Sequence, residues 1–339
     1  MKAALLETEG RIAIVEAERP SIGPDDVLIR VAYAGVCGSD LHSFEGSHPF
    51  RKPPVILGHE LSGTVVERGE RVESLAIGDP VTVMPYIHCG RCAMCRRGRT
   101  NICLNKIVPG IKGWAGTFAE YFRAPAAVTY KLGERTSLRE GALAEPLAVA
   151  VHSVAQGRVG QGDRVLILGA GTIGLLTGIA ARQAGASAVA ITDLYEYNLS
   201  VGCTLGFDAA YRADQQDLVQ RIRADYAEGF DVLFLTSGAA VTVTQSLELA
   251  QRTARIVATA IFPRPVTLDI GPITQGELEL IGTSIYTDLD FRRALLWLDE
   301  HVHPFERLID HELPLDAAQG ALEMLAGRTE DAIKVLLRP

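Results

Sequence analysis

The chain has no block of basic residues large enough for a polyanion, no long apolar run and few cysteines, and each shortage closes off a class of protein. Over 339 residues, 33 Lys and Arg stand against 41 Asp and Glu, a formal charge of −8. Nucleic acids and anionic membrane surfaces both require clustered Lys and Arg, so neither is expected as a partner. The one basic stretch, residues 91–99, reads as a solvated face. The longest uncharged run, between Arg164 and Arg182, holds 17 residues, four of them glycine. Its pattern changes midway from strand-like to helix-like, which is not how a membrane span reads. Residues 1–7 contain no apolar core of signal-peptide length, so a reducing cytoplasm is the expected location. No internal repeat or low-complexity tract interrupts the chain.

What is present points to two domains, because 339 residues with 47% hydrophobic content exceed what one core usually absorbs. Up to about residue 135 the pattern is of short alternating stretches such as residues 27–31 and 63–67, punctuated by Gly and Pro, which predicts antiparallel strands. From about residue 163 strand and helix patterns alternate: an apolar strand at 164–168, a helix through 184, a strand at 188–192, a polar helix from 196, and apolar runs at 232–235 and 256–258. That rhythm predicts an α/β, doubly wound parallel sheet. A helix around 291–301 and a terminal strand at 334–337 follow. The latter needs a partner and is placed with the N-terminal β region.

Gly169, Gly171 and Gly174 form a G-x-G-x-x-G pattern with Thr172 and Ile173, directly after a strand and opening a helix. In that context the first glycine permits the tight turn, the second lets a pyrophosphate approach, and the third allows close helix–strand packing. Asp193, at the end of the next strand, is placed to accept hydrogen bonds from ribose hydroxyls and to repel a 2′-phosphate, which predicts NAD over NADP. A helix-capping aspartate is the plainer alternative.

Four of the six cysteines, Cys89, Cys92, Cys95 and Cys103, have the two-residue gaps of a closed tetrahedral metal site, usually zinc. A disulfide cluster is the competing reading. Cys203 has no partner at metal spacing and is expected to be a small buried residue. Cys37, His59 and Glu145 come from three separate segments, and one thiolate, one imidazole and one carboxylate suit an open zinc site with a vacant position. Taken singly, each could be an ordinary core or surface residue. Asp40 is a candidate to orient His59 through its free ring nitrogen. His152 reads as a packing residue, and His48 and His88 as cleft-lining or solvent-facing.

The strings Gly35-Val36-Cys37-Gly38-Ser39-Asp40, Gly58-His59-Glu60, the four-cysteine lobe, Ala144-Glu145-Pro146-Leu147 and Gly169–Gly174, in that order, resemble the zinc-dependent medium-chain dehydrogenase/reductase superfamily over nearly the whole chain. Glu145 and residues 284–291 resemble its polyol (sorbitol), 2,3-butanediol and threonine dehydrogenase branch. The resemblance implies a GroES-like β-rich catalytic domain over 1–150 and 290–339 with two zinc sites, and a Rossmann NAD-binding domain over 151–289. It also implies a cleft between them, a homodimer or homotetramer, and two zinc ions per chain. Catalytic zinc would be held by Cys37, His59 and Glu145, with Glu60 adjacent and able to exchange, and structural zinc by the four-cysteine lobe. Ser39 would receive the proton of an alcohol substrate and pass it through ribose hydroxyls to His42.

Three departures limit the match. Asn198 stands where relatives often carry an adenine-stacking arginine, Thr236-Ser237-Gly238 replaces a more usual acid-cysteine-glycine string, and Tyr86 stands where threonine dehydrogenases have histidine. The expected activity is NAD-linked interconversion of a secondary alcohol, such as a polyol, diol or sugar alcohol, and its ketone. The alternatives are threonine 3-dehydrogenase, sugar-phosphate dehydrogenase, and a dinucleotide-binding protein without catalysis.

Overall fold

Apolar runs of four to six residues bounded by Gly, Pro or Asp leave little choice but strand, and in the computed structural model, which describes residues 1–339, they are strands. Two units form, Met1–Glu145 with Thr287–Pro339, and Pro146–Tyr286.

In the first unit a seven-stranded mixed sheet runs in the order Ile309–Pro314, Lys334–Arg338, Asp26–Gly35, Glu60–Arg68, Pro80–Val83 and Thr129–Lys131, with Tyr121–Pro125 also paired to Asp26–Gly35. The terminal strand lies antiparallel to Asp26–Gly35, with Leu336 opposite Gly35 and Leu337 opposite Ala34. Its other neighbour, Ile309–Pro314, is parallel. A smaller sheet joins Arg11–Glu16, Lys2–Thr8 and Val55–Ile56. The ten-residue strand Asp26–Gly35 is the hub of this unit, and the turn that follows it carries Cys37.

The second unit is a six-stranded, wholly parallel sheet in the order Ala209–Arg212, Ala188–Asp193, Arg164–Leu168, Phe230–Leu235, Ala250–Ala258 and Glu279–Gly282. Numbered along the chain this is 3-2-1-4-5-6, the doubly wound arrangement. Val165 to Leu168 are fully buried, as strands covered on both faces by helices must be. Helix Thr172–Gln183 follows the first strand and buries Leu175, Leu176, Ile179 and Ala180. Cys203, expected inside, is exposed: helix Glu196–Thr204 buries Asn198, Leu199, Val201 and Gly202, and Cys203 points the other way. No helix is long and apolar enough to cross a membrane.

One ion pair ties the terminal strand into the first unit. The Lys334 ammonium, 2% exposed, lies 2.7 and 2.9 Å from the two carboxylate oxygens of the fully buried Glu60 and donates to the Val36 carbonyl at 3.2 Å. Burial opposes its charge, but Glu60 and Cys37 outweigh burial and raise its pKa. Breaking such a pair leaves an uncompensated charge in the core. Lys334→Met should therefore lower the unfolding free energy by about 3–5 kcal/mol, and the Lys334→Met/Glu60→Gln double variant should recover much of the loss in urea titrations. Equal losses in the two variants would show that the pair is not the cause.

Candidate active site and metal centres

The first unit brings together two clusters of metal-ligating side chains. In one, donor atoms of Cys37, His59 and Glu60 all lie within 4.8 Å of one another. Cys37 caps the short helix Gly38–Phe44, which follows the hub strand, and His59 and Glu60 open the neighbouring strand Glu60–Arg68 or immediately precede it. The approach is close enough to demand glycine: a Cβ on Gly35 would meet a Glu60 carboxylate oxygen at 1.9 Å. One on Gly58, whose φ is +88°, would strike Phe118 and Thr117 at 2.4 Å.

Asp40 fixes both ligand-bearing turns. Its fully buried carboxylate accepts the Cys37 backbone N–H at 3.1 Å through one oxygen and the Gly58 backbone N–H at 3.2 Å through the other. The second oxygen also stands 3.6 Å from His59 Nδ1, so the expected orienting contact is present. Burial alone would raise the Asp40 pKa, but the His59 and Arg51 charges prevail and bring it to about 2.

Arg51, which no spacing in the sequence singled out, is the counter-charge of Asp40. It is 6% exposed, and its guanidinium donates to Asp40 Oδ1 at 3.2 Å and to Ser39 Oγ at 2.8 Å. It also stands 3.3 Å from a ring nitrogen of His48 and 3.3 Å from His59 Nδ1. His48 is thus a buried neighbour of this network, not a solvent-facing residue: burial and the Arg51 charge push its pKa down to about 4. His42 is partly exposed, with Nδ1 3.3 Å from Ser47 Oγ. Glu145 falls outside the three-residue donor set. It is buried in the first turn of helix Ala144–Gln156, and its charge, with those of Glu60 and Cys37, acts on the Lys334 ammonium. Lys334 is the second residue missed from sequence. Its only signal was a cation at the head of the apolar run 335–337.

The other cluster is the four-cysteine lobe. All four thiols are free, and Cys92 Sγ lies 3.5 Å from Cys95 Sγ and 3.9 Å from Cys103 Sγ. A tetrahedron with metal–sulfur bonds of about 2.3 Å has edges of about 3.8 Å, so these separations fit a bound zinc ion. Backbone N–H groups already favour thiolate at two positions. Those of Cys95 and Leu104 lower Cys92 to about 6, and those of Arg91 and Cys92 lower Cys89 to about 7. Cys95, desolvated and hydrogen-bonded to the neighbouring thiols, is raised to about 12, and a bound dication would favour its thiolate. The surrounding arginines, Arg91, Arg96, Arg97 and Arg99, are exposed.

In the second unit the glycine turn is a cradle. Gly169 has φ +116°, and a Cβ on Gly174 would lie 1.8 Å from the Gly169 carbonyl oxygen, so both positions exclude side chains. A Cβ on Gly171 would meet nothing within 4 Å: the helix N-terminus that it caps faces open space, as a pyrophosphate requires. Thr172 and Ile173 form the first turn of that helix. Asp193 accepts the Ala170 N–H at 2.7 Å with one oxygen and the Tyr195 N–H at 2.9 Å with the other, which braces it against the turn. The Thr236 hydroxyl explains its own substitution in part: it donates to the Gly169 carbonyl at 2.6 Å and tightens the same turn.

Comparison with known proteins matches this division of labour. The model for the alcohol dehydrogenase GroES-like domain matches residues 23–134, and that for zinc-binding dehydrogenase matches residues 172–300. A sorbitol dehydrogenase of Halalkalibacterium halodurans is 33% identical over 99% of both chains. A zinc-binding dehydrogenase of Sinorhizobium meliloti, solved with NADP, superposes with a TM-score of 0.92 at 34% identity, covering 100% of this chain and 99% of the other. The 2R,3R-butanediol dehydrogenase of Bacillus subtilis gives 0.90 at 29% identity over the same shares. Its paired domains, its donor sets and these relatives place the chain in the zinc-binding alcohol dehydrogenase family, the medium-chain enzymes that join a GroES-like domain to a Rossmann domain.

Proposed function

We propose that this enzyme interconverts a secondary alcohol of the polyol, diol or sugar-alcohol class and its ketone, with NAD as hydride acceptor. The observation that carries the reading is the convergence of Cys37, His59 and Glu60 on one point, with Ser39 joined to the same network through Arg51. Relatives named for sorbitol and butanediol support the substrate class.

Zinc bound by this donor set supplies a Lewis acid that makes a substrate hydroxyl acidic near neutral pH. The family resemblance assigns the metal to Cys37, His59 and Glu145, with Glu60 as the ligand that exchanges, and the ion pair with Lys334, which engages the Glu60 carboxylate, supports that division. Asp40 keeps Cys37 and His59 in register. Arg51 donates to one lone pair of Ser39 Oγ and leaves the other to take the substrate proton. His42, partly exposed beside Ser47, would hold that proton before it passes to solvent. Gly169, Gly171, Thr172, Ile173 and Gly174 bind the pyrophosphate, and Asp193 the adenosine ribose. Cys89, Cys92, Cys95 and Cys103 hold the structural zinc, and a reducing cytoplasm preserves their thiols.

NADH formation over a panel of polyols and diols tests the activity, and NAD should be used in preference to NADP. A panel that yields no NADH would favour a binding protein instead. Cys37→Ala should lower kcat/KM about 1,000-fold or more, equivalent to about 4 kcal/mol of barrier, with the fold retained. Cys92→Ser should instead cost thermal stability first and halve zinc content by mass spectrometry. An active Cys37→Ala enzyme without zinc would sink the mechanism.

Removing the Arg51 fork should loosen the donor turns. In chelator competition, Arg51→Met should hold the metal of the Cys37 site about 10–100-fold more weakly, and Arg51→Lys should restore only part of that. Wild-type metal affinity in Arg51→Met would exclude the role.

The strand Glu279–Gly282 forms an open edge of the parallel sheet, with Leu280 50% exposed and Ile261 and Ile270 exposed nearby in sequence. Such an edge supports a homodimer or homotetramer. Sedimentation equilibrium should find the dimer or a multiple of it, and charged replacement of Leu280 should shift it toward monomer.

A further inference from the structure

Asn198, where relatives often place an arginine against the adenine, is 2% exposed and packed inside the second unit. The adenosine end of the dinucleotide therefore receives no cation from that helix. A cation does reach the same place from another element. Arg212 is the last residue of strand Ala209–Arg212, and its Cα is directly paired with that of Asp193 across the parallel ladder. Paired residues of adjacent parallel strands project to the same face, so the Arg212 and Asp193 side chains lie side by side at the carboxyl end of the sheet. Dinucleotides bind at that end.

The guanidinium is held but not used up. Arg212 Nη2 bonds Asp214 at 2.6 Å, and Nη1 lies 3.9 Å from Glu196. Its Nε–H is buried without a hydrogen-bond partner, while the side chain as a whole is 36% exposed and so remains within reach of a ligand. The bond to Asp214, with the charges of Glu196 and Asp193, keeps the group firmly cationic. Asp193 meanwhile has both oxygens fixed by backbone N–H groups, so it cannot swing away from a ligand's ribose. With Asp193 acting alone, a 2′-phosphate would meet only negative charge. With Arg212 beside it, that phosphate meets a fixed cation as well.

We infer that Arg212 sets the tolerance of this site for a phosphate on the adenosine 2′-oxygen, offsetting Asp193 so that discrimination between the two dinucleotides is narrower than the aspartate alone would make it. The inference rests on the reading of Asp193 as the ribose acid given under the proposed function. It concerns binding only and does not involve the metal sites.

Calorimetric titration of the full-length protein with ADP-ribose and with 2′-phospho-ADP-ribose tests it, because neither ligand needs substrate, turnover or zinc. The quantity read is the ratio of the two dissociation constants. Arg212→Gln keeps donors for Asp214 without the charge, and Arg212→Ala removes both. Each should widen the ratio against the phosphorylated ligand about tenfold, the effect of losing one charge-assisted contact of about 1.4 kcal/mol. Arg212→Lys should stay within about threefold of wild type, since a point charge suffices for the offset. A ratio within twofold of wild type in both neutral variants, with melting temperatures showing that they are folded, overturns the inference, as does a lysine variant no better than glutamine. The reading of Asp193 has its own arm: Asp193→Asn should shift the ratio toward the phosphorylated ligand. An unchanged ratio there rejects that reading, while the Arg212 variants still decide this one.

Discussion

The Asp40 carboxylate is the constraint on which the candidate active site depends. Cys37 and His59 sit on two turns that have no strand pairing of their own at the ligand positions, and turns are the part of a fold most free to move. Asp40 joins them by taking a backbone N–H from each, and stands at the ring nitrogen of His59 as well. A fully buried carboxylate that accepts several hydrogen bonds is favourable only while its charge is matched. Arg51 supplies that match and extends the network to Ser39 and His48. Geometry and electrostatics thus arrive together: the group that holds the metal donors in register also requires the cation that orients the hydroxyl beside them.

Lys334 does the same work from the far end of the sequence. Glu60 is adjacent to His59 in the chain, so the strand that delivers the imidazole also delivers a second buried acid. An unpaired glutamate there would be costly, and the terminal strand crosses behind it with one ammonium at the required point. Pairing between that strand and Asp26–Gly35 is therefore more than closure of a sheet edge. It makes the charge state around Cys37 depend on residues nearly 300 positions away in sequence.

Much of this was legible in the sequence where a single short segment carries the whole requirement. The glycines at 169 and 174 each have a local steric reason, Gly171 leaves the helix N-terminus open, and the run at 164–168 is strand to its ends. The cysteine lobe is equally local, and its sulfurs lie at tetrahedral separations. Asp40 could be suspected because it is three residues from Cys37. Arg51 and Lys334 could not, because a counter-charge needs only to end near its acid in space, and any exposed-looking Arg or Lys in a proline-rich loop or at a strand head satisfies that in principle. Cys203 misled for a related reason: composition favours burial of cysteine, but which face of a short helix packs inward is decided by Leu199 and Val201. His48 was undecided for want of the Arg51 contact that buries it.

The same rule accounts for the difference between the two metal clusters. At the cysteine lobe the charges of the donors are met by backbone N–H groups of the lobe itself, which lower Cys92 and Cys89 without help from outside. Such a site is self-contained, and with four sulfurs it leaves no vacancy for a substrate. Around Cys37, His59 and Glu60 the buried acids Asp40 and Glu60 are balanced instead by Arg51 and Lys334, side chains from other segments. A site of that kind can be tuned by changing residues that never touch the substrate. The dispersal of the counter-charges follows from one arrangement, in which the donor residues are placed on turns and electrostatic compensation is left to the scaffold.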